Sequence, residues 1–266
     1  MIGTLRLSAA VLVAALATPP LMLWQFFAVR TGLVDEHAVP RLWHGLVLRL
    51  LGLRVQVFGT LAPDRPLMLA SNHVSWTDIM VLSSLADVHF IAKSEVAGWP
   101  VIGTLSRLQR TVFVERQARG KSGEQVGEIA ERMTSGDPMV LFAEGTTSDG
   151  NTILPFKSTL FAAAVRAMET ADAADIAVQP VAIAYTRLHG MPMGRRHRRH
   201  LSWIGDQELL PHLTWLLREG AVDVEVHFGE PLRFGDGASR KEIARGAEER
   251  VREMMAAALH DPKRSK

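Results

Sequence analysis

Cysteine is absent from the 266-residue sequence. Its absence excludes disulfide bonds, thiolate ligands for a metal ion and a cysteine nucleophile, and it is compatible with a reducing compartment. An excess of charge of one sign is missing too, because 30 lysines and arginines face 28 aspartates and glutamates. A general nucleic-acid-binding protein would carry a marked basic excess, so no nucleic-acid partner is expected.

Two kinds of catalytic motif are also missing. The Gly-x-Ser-x-Gly turn of the α/β-hydrolases does not occur, and the Gly-Thr-Leu-Ser stretch at 103–106 does not replace it. The ten histidines show no paired spacing of the zinc-binding kind. A serine hydrolase is therefore disfavoured, and no metal site is expected.

Apolar residues dominate the N-terminus, in a sequence that is 47% hydrophobic. No charge occurs from Leu7 to Val29, a stretch long enough to cross a bilayer. Pro19 and Pro20 are expected to interrupt an unbroken helix here. Three interpretations follow: the segment spans the membrane with a kink, forms a re-entrant or monotopic hairpin in one leaflet, or is a cleaved signal peptide. The signal peptide is the least favoured, because apolar residues continue through Phe27.

A second segment, roughly 40–53, has apolar residues at helical spacing with arginines between them. Trp43 beside this apolar stripe suits a membrane interface, although ordinary packing gives the same pattern. We therefore assign residues 1–53 to membrane-associated helices and 54–266 to a catalytic domain. Two basic stretches, 195–200 and 263–266, are either solvated or attracted to anionic headgroups or an acidic carrier.

Beyond residue 54, short β-like runs alternate with helical patterns. The expected strands are 55–58, 67–70, 89–91, 111–114, 139–142, 177–184 and 222–228, and the expected helices are 79–85, 123–135, 158–170 and 239–259. This alternation predicts an α/β fold with a largely parallel central sheet flanked by helices. The active site of such a sheet normally lies beyond the carboxyl ends of its strands.

A histidine and an aspartate stand close together in Asn72-His73-Val74-Ser75-Trp76-Thr77-Asp78. The apolar run 66–70 before them is typical of a buried strand, so His73 is expected at a strand end. Asp78 follows about one helical turn later and can accept a hydrogen bond from one ring nitrogen, which leaves the other as a general base. In the alternative, Ser75 and Asp78 form a capping box and only stabilise a helix start.

Another strand end, after 138–142, continues as Ala-Glu-Gly-Thr-Thr-Ser at 143–148. A glycine turn with an acid and hydroxyl side chains exposes backbone N–H groups that can hold a phosphate or a polar headgroup. The strand 111–114 leads to Arg116, a cation that could clamp an anion. A simple strand-to-helix turn and a structural arginine remain the alternatives.

Together these segments resemble the lysophospholipid acyltransferase family, which includes 1-acylglycerol-3-phosphate acyltransferase. The segment from His73 to Asp78 resembles its first block, a histidine and an aspartate separated by four residues. Its second, third and fourth blocks are similar to residues 112–116, 142–146 and 177–182. Residues 92–95 and 155–157 match stretches between the blocks. Ala143 stands where the third block usually has proline. The resemblance covers about residues 54–235, and four blocks in the right order are highly specific.

The resemblance implies O-acyl transfer from acyl-carrier protein or coenzyme A to the hydroxyl of a lysolipid, with no cofactor besides this donor. His73 would act as the base and Asp78 would orient it. The residues expected to bind the acceptor headgroup are Lys93, Arg116, Glu144, Gly145, Thr146 and Lys157. The expected partners are the bilayer, the lysolipid and the acyl donor. The expected location is the inner membrane, with the catalytic domain on its cytoplasmic face.

One position departs from the family pattern. The third block usually continues Glu-Gly-Thr-Arg-Ser, and its arginine is thought to hold the acceptor's phosphate, whereas Thr147 stands there in this sequence and Asp149 follows. The variant turn resembles a branch that acylates lyso-ornithine lipid, an acceptor without phosphate. Arg116 and Lys157 still offer positive charge for lysophosphatidate. A non-enzymatic alternative is a membrane-attached lipid-binding protein of the same fold with an inactive site.

Overall fold

Helices and strands alternate in the computed structural model, which describes residues 2–115, 122–170, 175–205, 207–235 and 237–260, except the side chains of 2–5 and 122. The helices are α1 (Ile2–Thr31), α2 (Ala38–Leu51), α3 (Thr77–Leu85), α4 (Ile102–Leu108), α5 (Ser122–Thr134), α6 (Ala162–Thr170), α7 (Arg195–Leu201), α8 (Leu209–Glu219) and α9 (Arg240–His260). The strands are β1 (Leu53–Phe58), β2 (Leu67–Ser71), β3 (His89–Lys93), β4 (Val112–Val114), β5 (Met139–Phe142), β6 (Asp175–Leu188), β7 (Met191–Pro192), β8 (Val222–Phe228) and β9 (Leu232–Gly235). Short 3₁₀ helices lie at Ser94–Gly98 and Ser158–Phe161.

One mixed sheet holds all the described strands, in the order β1-β8-β6-β2-β5-β3-β4, with β7 and β9 also paired to β6. Along this order, only β6 and β8 run antiparallel. The prediction of a largely parallel sheet with flanking helices is confirmed. Strands β2 and β5 are parallel neighbours in the middle of the sheet, so the segments that follow them emerge at the same edge.

Two hydrophobic cores cover the two faces of this sheet. Strand β2 contributes to both, because alternate side chains of a strand point to opposite faces. Leu67 and Leu69 pack into one core with residues of α2, α3 and α8, and Met68 and Ala70 pack into the other with residues of α5, α6 and α9. With both faces covered, all five residues of β2 are buried, which explains the uninterrupted apolar run in the sequence.

Sequence reasoning missed α4, α7, α8, β7 and β9. The basic stretch forms helix α7, whose Arg198 is buried and donates hydrogen bonds to the carbonyl oxygens of Tyr185 and Met193 at 3.0 and 2.7 Å. At least one cation of this stretch is therefore structural. The second basic stretch, 263–266, lies outside the described residues.

Helix α1 runs unbroken through Pro19 and Pro20, contrary to the interruption expected there. Each proline removes one backbone N–H, but its fixed φ is compatible with a helix, and α1 packs against α2 and α8. Residues 6–31 are long and apolar enough to cross a membrane by length and composition.

Polar contacts of three α1 side chains hold the helix along the surface of the rest of the protein. The Arg6 guanidinium donates to the Leu50 carbonyl at 3.4 Å, and the Trp43 indole N–H donates to Thr18 Oγ1 at 3.0 Å. Near the other end, the Gln25 amide donates to the carbonyl oxygens of Glu36 and Leu108 at 2.8 and 3.0 Å. The domain boundary after residue 53 stays a prediction.

Candidate active site

Two sequence motifs meet at the carboxyl edge of the sheet. Because β2 and β5 are parallel and Ser71 pairs with Phe142, the residues after Ser71 lie beside those after Phe142. Asn72 fixes the first segment, since its side-chain amide exchanges two hydrogen bonds with the Ile183 backbone on β6, at 2.8 and 3.0 Å. The following residue, His73, is thereby placed at the end of the strand.

His73 and Asp78 form a hydrogen-bonded pair. His73 Nδ1 lies 2.9 Å from Asp78 Oδ2, and the same oxygen accepts the backbone N–H groups of Val74 at 2.6 Å and Ser75 at 2.9 Å. Asp78 therefore orients the imidazole and also binds the amides that lead into α3. Because a carboxylate only accepts, Nδ1 carries a proton and the Nε2 of a neutral imidazole is left with a lone pair.

The imidazole of His73 packs against Phe142 on one face and is partly exposed to solvent. The ring of His73 stacks on that of Phe142, with 3.9 Å between centroids and 15° between planes. The His73 side chain is 18% exposed, whereas Asp78 is fully buried. The pair thus presents one ring edge outward while its charged partner is shielded from water, which is the arrangement required of a general base.

Tyr185 on β6 also contacts Asp78, and sequence reasoning missed it. Its hydroxyl donates to Asp78 Oδ1 at 2.6 Å, and its oxygen lies 2.6 Å from Thr77 Oγ1. The available signal was weak: Tyr185 is the single tyrosine of the chain and lies in the strand of the fourth block.

The side chain of Glu144 is buried beneath the turn that follows β5, and it does not face outward. It is 1% exposed, and its two carboxylate oxygens accept the backbone N–H groups of His73 at 2.8 Å and Leu154 at 3.0 Å. Burial raises the pKa of this carboxyl to about 7, and the charge of Asp78 adds to the increase. These contacts favour a positioning role over the expected contact with a headgroup.

The turn itself brings Gly145, Thr146 and Thr147 to one surface. Gly145 has a φ of +69°, and a Cβ placed on it would lie 3.0 Å from the Lys157 side chain, so glycine suits this position for both reasons. Its own N–H donates to the Phe142 carbonyl at 3.0 Å. The Thr147 hydroxyl donates to the Trp203 carbonyl, which fixes the residue that replaces the family's arginine.

The predicted cations are placed differently from one another. Lys93 is exposed at the end of β3, in the wall of the same cavity as His73. Lys157 is exposed and lies over Gly145. Arg116 lies outside the described residues. The structure therefore brings Lys93, Lys157 and the glycine turn to the surroundings of His73.

A cavity of about 1160 Å³ opens at this site and extends under the N-terminal helices. His73, Lys93 and the turn residues Gly145, Thr146 and Thr147 belong to its wall, which is mostly apolar elsewhere. Helices α1 and α2 contribute Ala14, Leu21, Met22, Trp43 and Val47 among other residues. The volume exceeds that of a usual small-molecule pocket and suits a long apolar ligand whose polar end reaches His73.

A group of three residues, distant from the His73–Asp78 pair, has side-chain atoms arranged so that they could hold a metal ion. Ligand atoms of Glu36, His37 and His89 lie within 4.8 Å of one another. Glu36, however, already pairs with Arg110. Burial and the charge of Arg132 lower the pKa of His89 to about 4. The cluster ties the α1–α2 connection to β3.

Comparison with known proteins agrees with the motifs. A family model described as Acyltransferase matches residues 54–184. The chain is 52% identical over 259 residues to a lyso-ornithine lipid O-acyltransferase of Brucella abortus, covering 97% of each chain. It is 46% identical over 265 residues to a lyso-ornithine lipid O-acyltransferase of Rhizobium meliloti, covering 100% of this chain and 91% of the relative.

A solved structure shares the fold. The crystal structure of the 1-acyl-sn-glycerophosphate acyltransferase of Thermotoga maritima superimposes with a TM-score of 0.62 at 21% identity, covering 93% of this chain and 98% of that chain. The resemblance inferred from the four blocks is thus confirmed over nearly the whole sequence. The chain belongs to the lysophospholipid acyltransferase family and is an acyltransferase.

Proposed function

We propose that this acyltransferase transfers a fatty acyl group from a thioester of acyl-carrier protein or coenzyme A to the hydroxyl of lyso-ornithine lipid. The observation that carries the proposal is the His73–Asp78 pair, whose imidazole faces a large and mostly apolar cavity. The names of the two relatives with more than 45% identity support the acceptor.

The reaction begins with removal of the acceptor's hydroxyl proton. His73 Nε2 takes that proton while the oxygen attacks the thioester carbonyl, and Asp78 stabilises the imidazolium that forms. The tetrahedral intermediate then breaks its carbon–sulfur bond, and the imidazolium returns the proton to the leaving sulfur. A carbon–oxygen bond replaces a carbon–sulfur bond, and no acyl-enzyme is required.

The negative charge on the tetrahedral intermediate needs donors that are already in place. The N–H of Gly145 is occupied within the turn. Among the described residues, no acceptor binds the amides of Thr146 and Thr147, whose residues lie in the cavity wall. These two amides are our candidates for the oxyanion site, where one donor contributes about 3 kcal/mol to the transition state.

The charges around the cavity support an acceptor with fewer negative charges than a phosphomonoester. Lys93 in the cavity wall and Lys157 beside Gly145 offer positive charge to a carboxylate such as that of ornithine. Thr147 supplies no charge where the family's arginine would stand, and the exposed carboxylates of Glu95 and Glu208 also line the cavity. Lysophosphatidate, favoured by the two lysines alone, is the second candidate acceptor.

The N-terminal helix supports action at a membrane. Leu12, Leu16, Leu23 and Phe26 are more than half exposed on α1, while other residues of α1 line the cavity. We therefore propose that α1 lies in one leaflet, so that lysolipid enters the cavity from the bilayer. The thioester donors are cytosolic, which favours the cytoplasmic face of the inner membrane.

A panel of substrates tests the proposed acceptor. The purified full-length chain, in vesicles, is given lyso-ornithine lipid or lysophosphatidate with each of the two donors. We expect acylated ornithine lipid to form at least ~10-fold faster than phosphatidate. Preference for lysophosphatidate would transfer the assignment to the second candidate. Absence of any acylated lipid would support the inactive alternative.

Substitution of the pair tests the mechanism. His73→Ala and Asp78→Ala should each lower kcat at least ~100-fold, the scale of a positioned general base. His260→Ala, at an exposed position of α9, is the matched control and should retain full activity. Near-normal turnover by His73→Ala would remove His73 from the mechanism.

A further inference from the structure

Tyr185 reaches the catalytic carboxylate from the opposite side to His73. It lies on β6, next to β2 in the sheet, and is 1% exposed. Its hydroxyl is 2.6 Å from Asp78 Oδ1, whereas the imidazole binds Oδ2 of the same carboxylate. The only tyrosine of the sequence thus makes direct contact with the group that orients the base.

The direction of each hydrogen bond follows from counting protons. Asp78 as a carboxylate only accepts, so the single proton of the Tyr185 hydroxyl is donated to Oδ1. The contact between Tyr185 and Thr77, also 2.6 Å, must then use the Thr77 proton, donated to the tyrosine oxygen. The result is a chain of donors from Thr77 through Tyr185 to Asp78 Oδ1, and the carboxylate accepts from His73 at its other oxygen.

The contribution of Tyr185 to this carboxylate is not duplicated. Oδ2 accepts from the His73 ring and from the amides of Val74 and Ser75. Among the described residues, Oδ1 accepts from Tyr185 alone. Without the hydroxyl, one oxygen of a fully buried carboxylate would lose its donor, and a buried charge is costly to leave unpaired.

We propose that Tyr185, supported by Thr77, is a positioning residue that holds the Asp78 carboxylate in place while His73 acts as base. The proposal rests on the role of His73 in the proposed function. The titratable groups packed around Asp78 are His73, Tyr185 and Glu144. Of these, His73 donates to Oδ2 and Tyr185 donates to Oδ1.

The test is Tyr185→Phe, which keeps the ring and removes the hydroxyl. We expect kcat to fall about 10-fold with KM within about twofold, the scale of one hydrogen bond to a charged group. The acidic limb of the pH profile of kcat, which reports protonation of the base, should move to higher pH, because a carboxylate with one donor fewer stabilises the imidazolium of His73 more strongly. Thr77→Val should shift the limb in the same direction by less.

Thr186→Val is the matched control. Thr186 is the next residue of β6 and is buried, but its hydroxyl points to the Asp223 carbonyl at 3.5 Å and not to Asp78. This variant also loses one buried hydroxyl from the same strand, and its pH profile should be that of the wild type. A Tyr185→Phe enzyme with an unmoved acidic limb, whatever its thermal stability, would overturn the proposal.

A second measurement needs no substrate. The proton on His73 Nδ1, identified by its loss in His73→Ala, gives a low-field NMR resonance whose position reports its hydrogen bond to Asp78. We expect this resonance to move in Tyr185→Phe and to stay in Thr186→Val. If the resonance does not move in Tyr185→Phe, the positioning role of Tyr185 is wrong, even if the wild-type protein is active. If the resonance moves but the wild-type protein acylates no lysolipid, the proposed function is wrong and the positioning role of Tyr185 is not.

Discussion

Glu144 shows how a single buried carboxyl connects two parts of the site. Its oxygens accept the amide of His73, the proposed base, and the amide of Leu154, in the loop that leads to Lys157. Burial raises its pKa to about 7 despite these hydrogen bonds. Near neutral pH the group is therefore divided between its charged and neutral forms, and its protonation is linked to folding.

The free energy of unfolding should depend on pH through the titration of Glu144. The pKa is higher in the folded chain than the ordinary value of 4.5, so the folded state binds more protons and stability falls as pH rises from about 4.5 to about 7. Glu144→Gln removes this part of the slope, which amounts to at most about 3 kcal/mol. Denaturant unfolding of both proteins between pH 4.5 and 8 measures the difference. Equal slopes would show that Glu144 does not titrate in this range.

At the scale of the element, α1 has two apolar sides with different neighbours. Ala10, Ala14 and Leu21 belong to the wall of the cavity, whereas Leu16 and Leu23 are 68% and 73% exposed. A helix of this kind, held along the protein by hydrogen bonds near both ends, exposes apolar surface that water does not favour. Insertion into one leaflet would cover that side without moving the helix away from the cavity.

Charges on the exposed side should separate membrane binding from folding. Leu16→Glu with Leu23→Glu should lower the vesicle-bound fraction at least ~10-fold, because each leucine loses about 1.5–3 kcal/mol of apolar burial. Vesicle sedimentation measures binding, and thermal unfolding should change little because neither side chain is buried. The control is Ala256→Glu with Ala257→Glu, at exposed positions of α9. Equal binding by both double variants would exclude α1 as the membrane-binding element.

For the molecule as a whole, one cavity joins the sheet edge to the N-terminal helices. Its proposed reacting end lies at His73, on the carboxyl side of β2, and its far part lies beneath α1 and α2. The length of an acyl chain that fits should therefore depend on side chains that lie far from His73 along the sequence.

Ala14→Trp tests this dependence. The residue lies in the cavity wall, and an indole there should occupy space that a long acyl chain needs. We expect kcat/KM for acyl donors with 16 or 18 carbons to fall roughly 10-fold, because a few methylene groups would lose their place in the apolar cavity. For donors with 8 carbons, kcat/KM should change by no more than about twofold. The neighbouring Ala15→Trp, on the exposed side, should leave chain preference unchanged. A uniform loss over all chain lengths would place the acyl group elsewhere.

The sequence by itself determined the features that depend on residues close together along the chain. His73 and Asp78 are five positions apart, so one turn of chain was enough to predict their contact, and the alternation of apolar runs was enough to predict the fold. The single helix α1 was misjudged, because two prolines weaken a helix locally without deciding whether packing against α2 and α8 preserves it.

Only the tertiary structure decided which distant groups surround that pair. Tyr185 and Asp78 are 107 positions apart, and Glu144 and His73 are 71 apart, so no local pattern joins them. The register of β2 between β5 and β6 brings these residues to one edge of the sheet. It also places Glu144 under the turn, with its carboxylate bound to backbone amides. A side chain's role here depends on what it faces, and that is set by strand pairing over long separations.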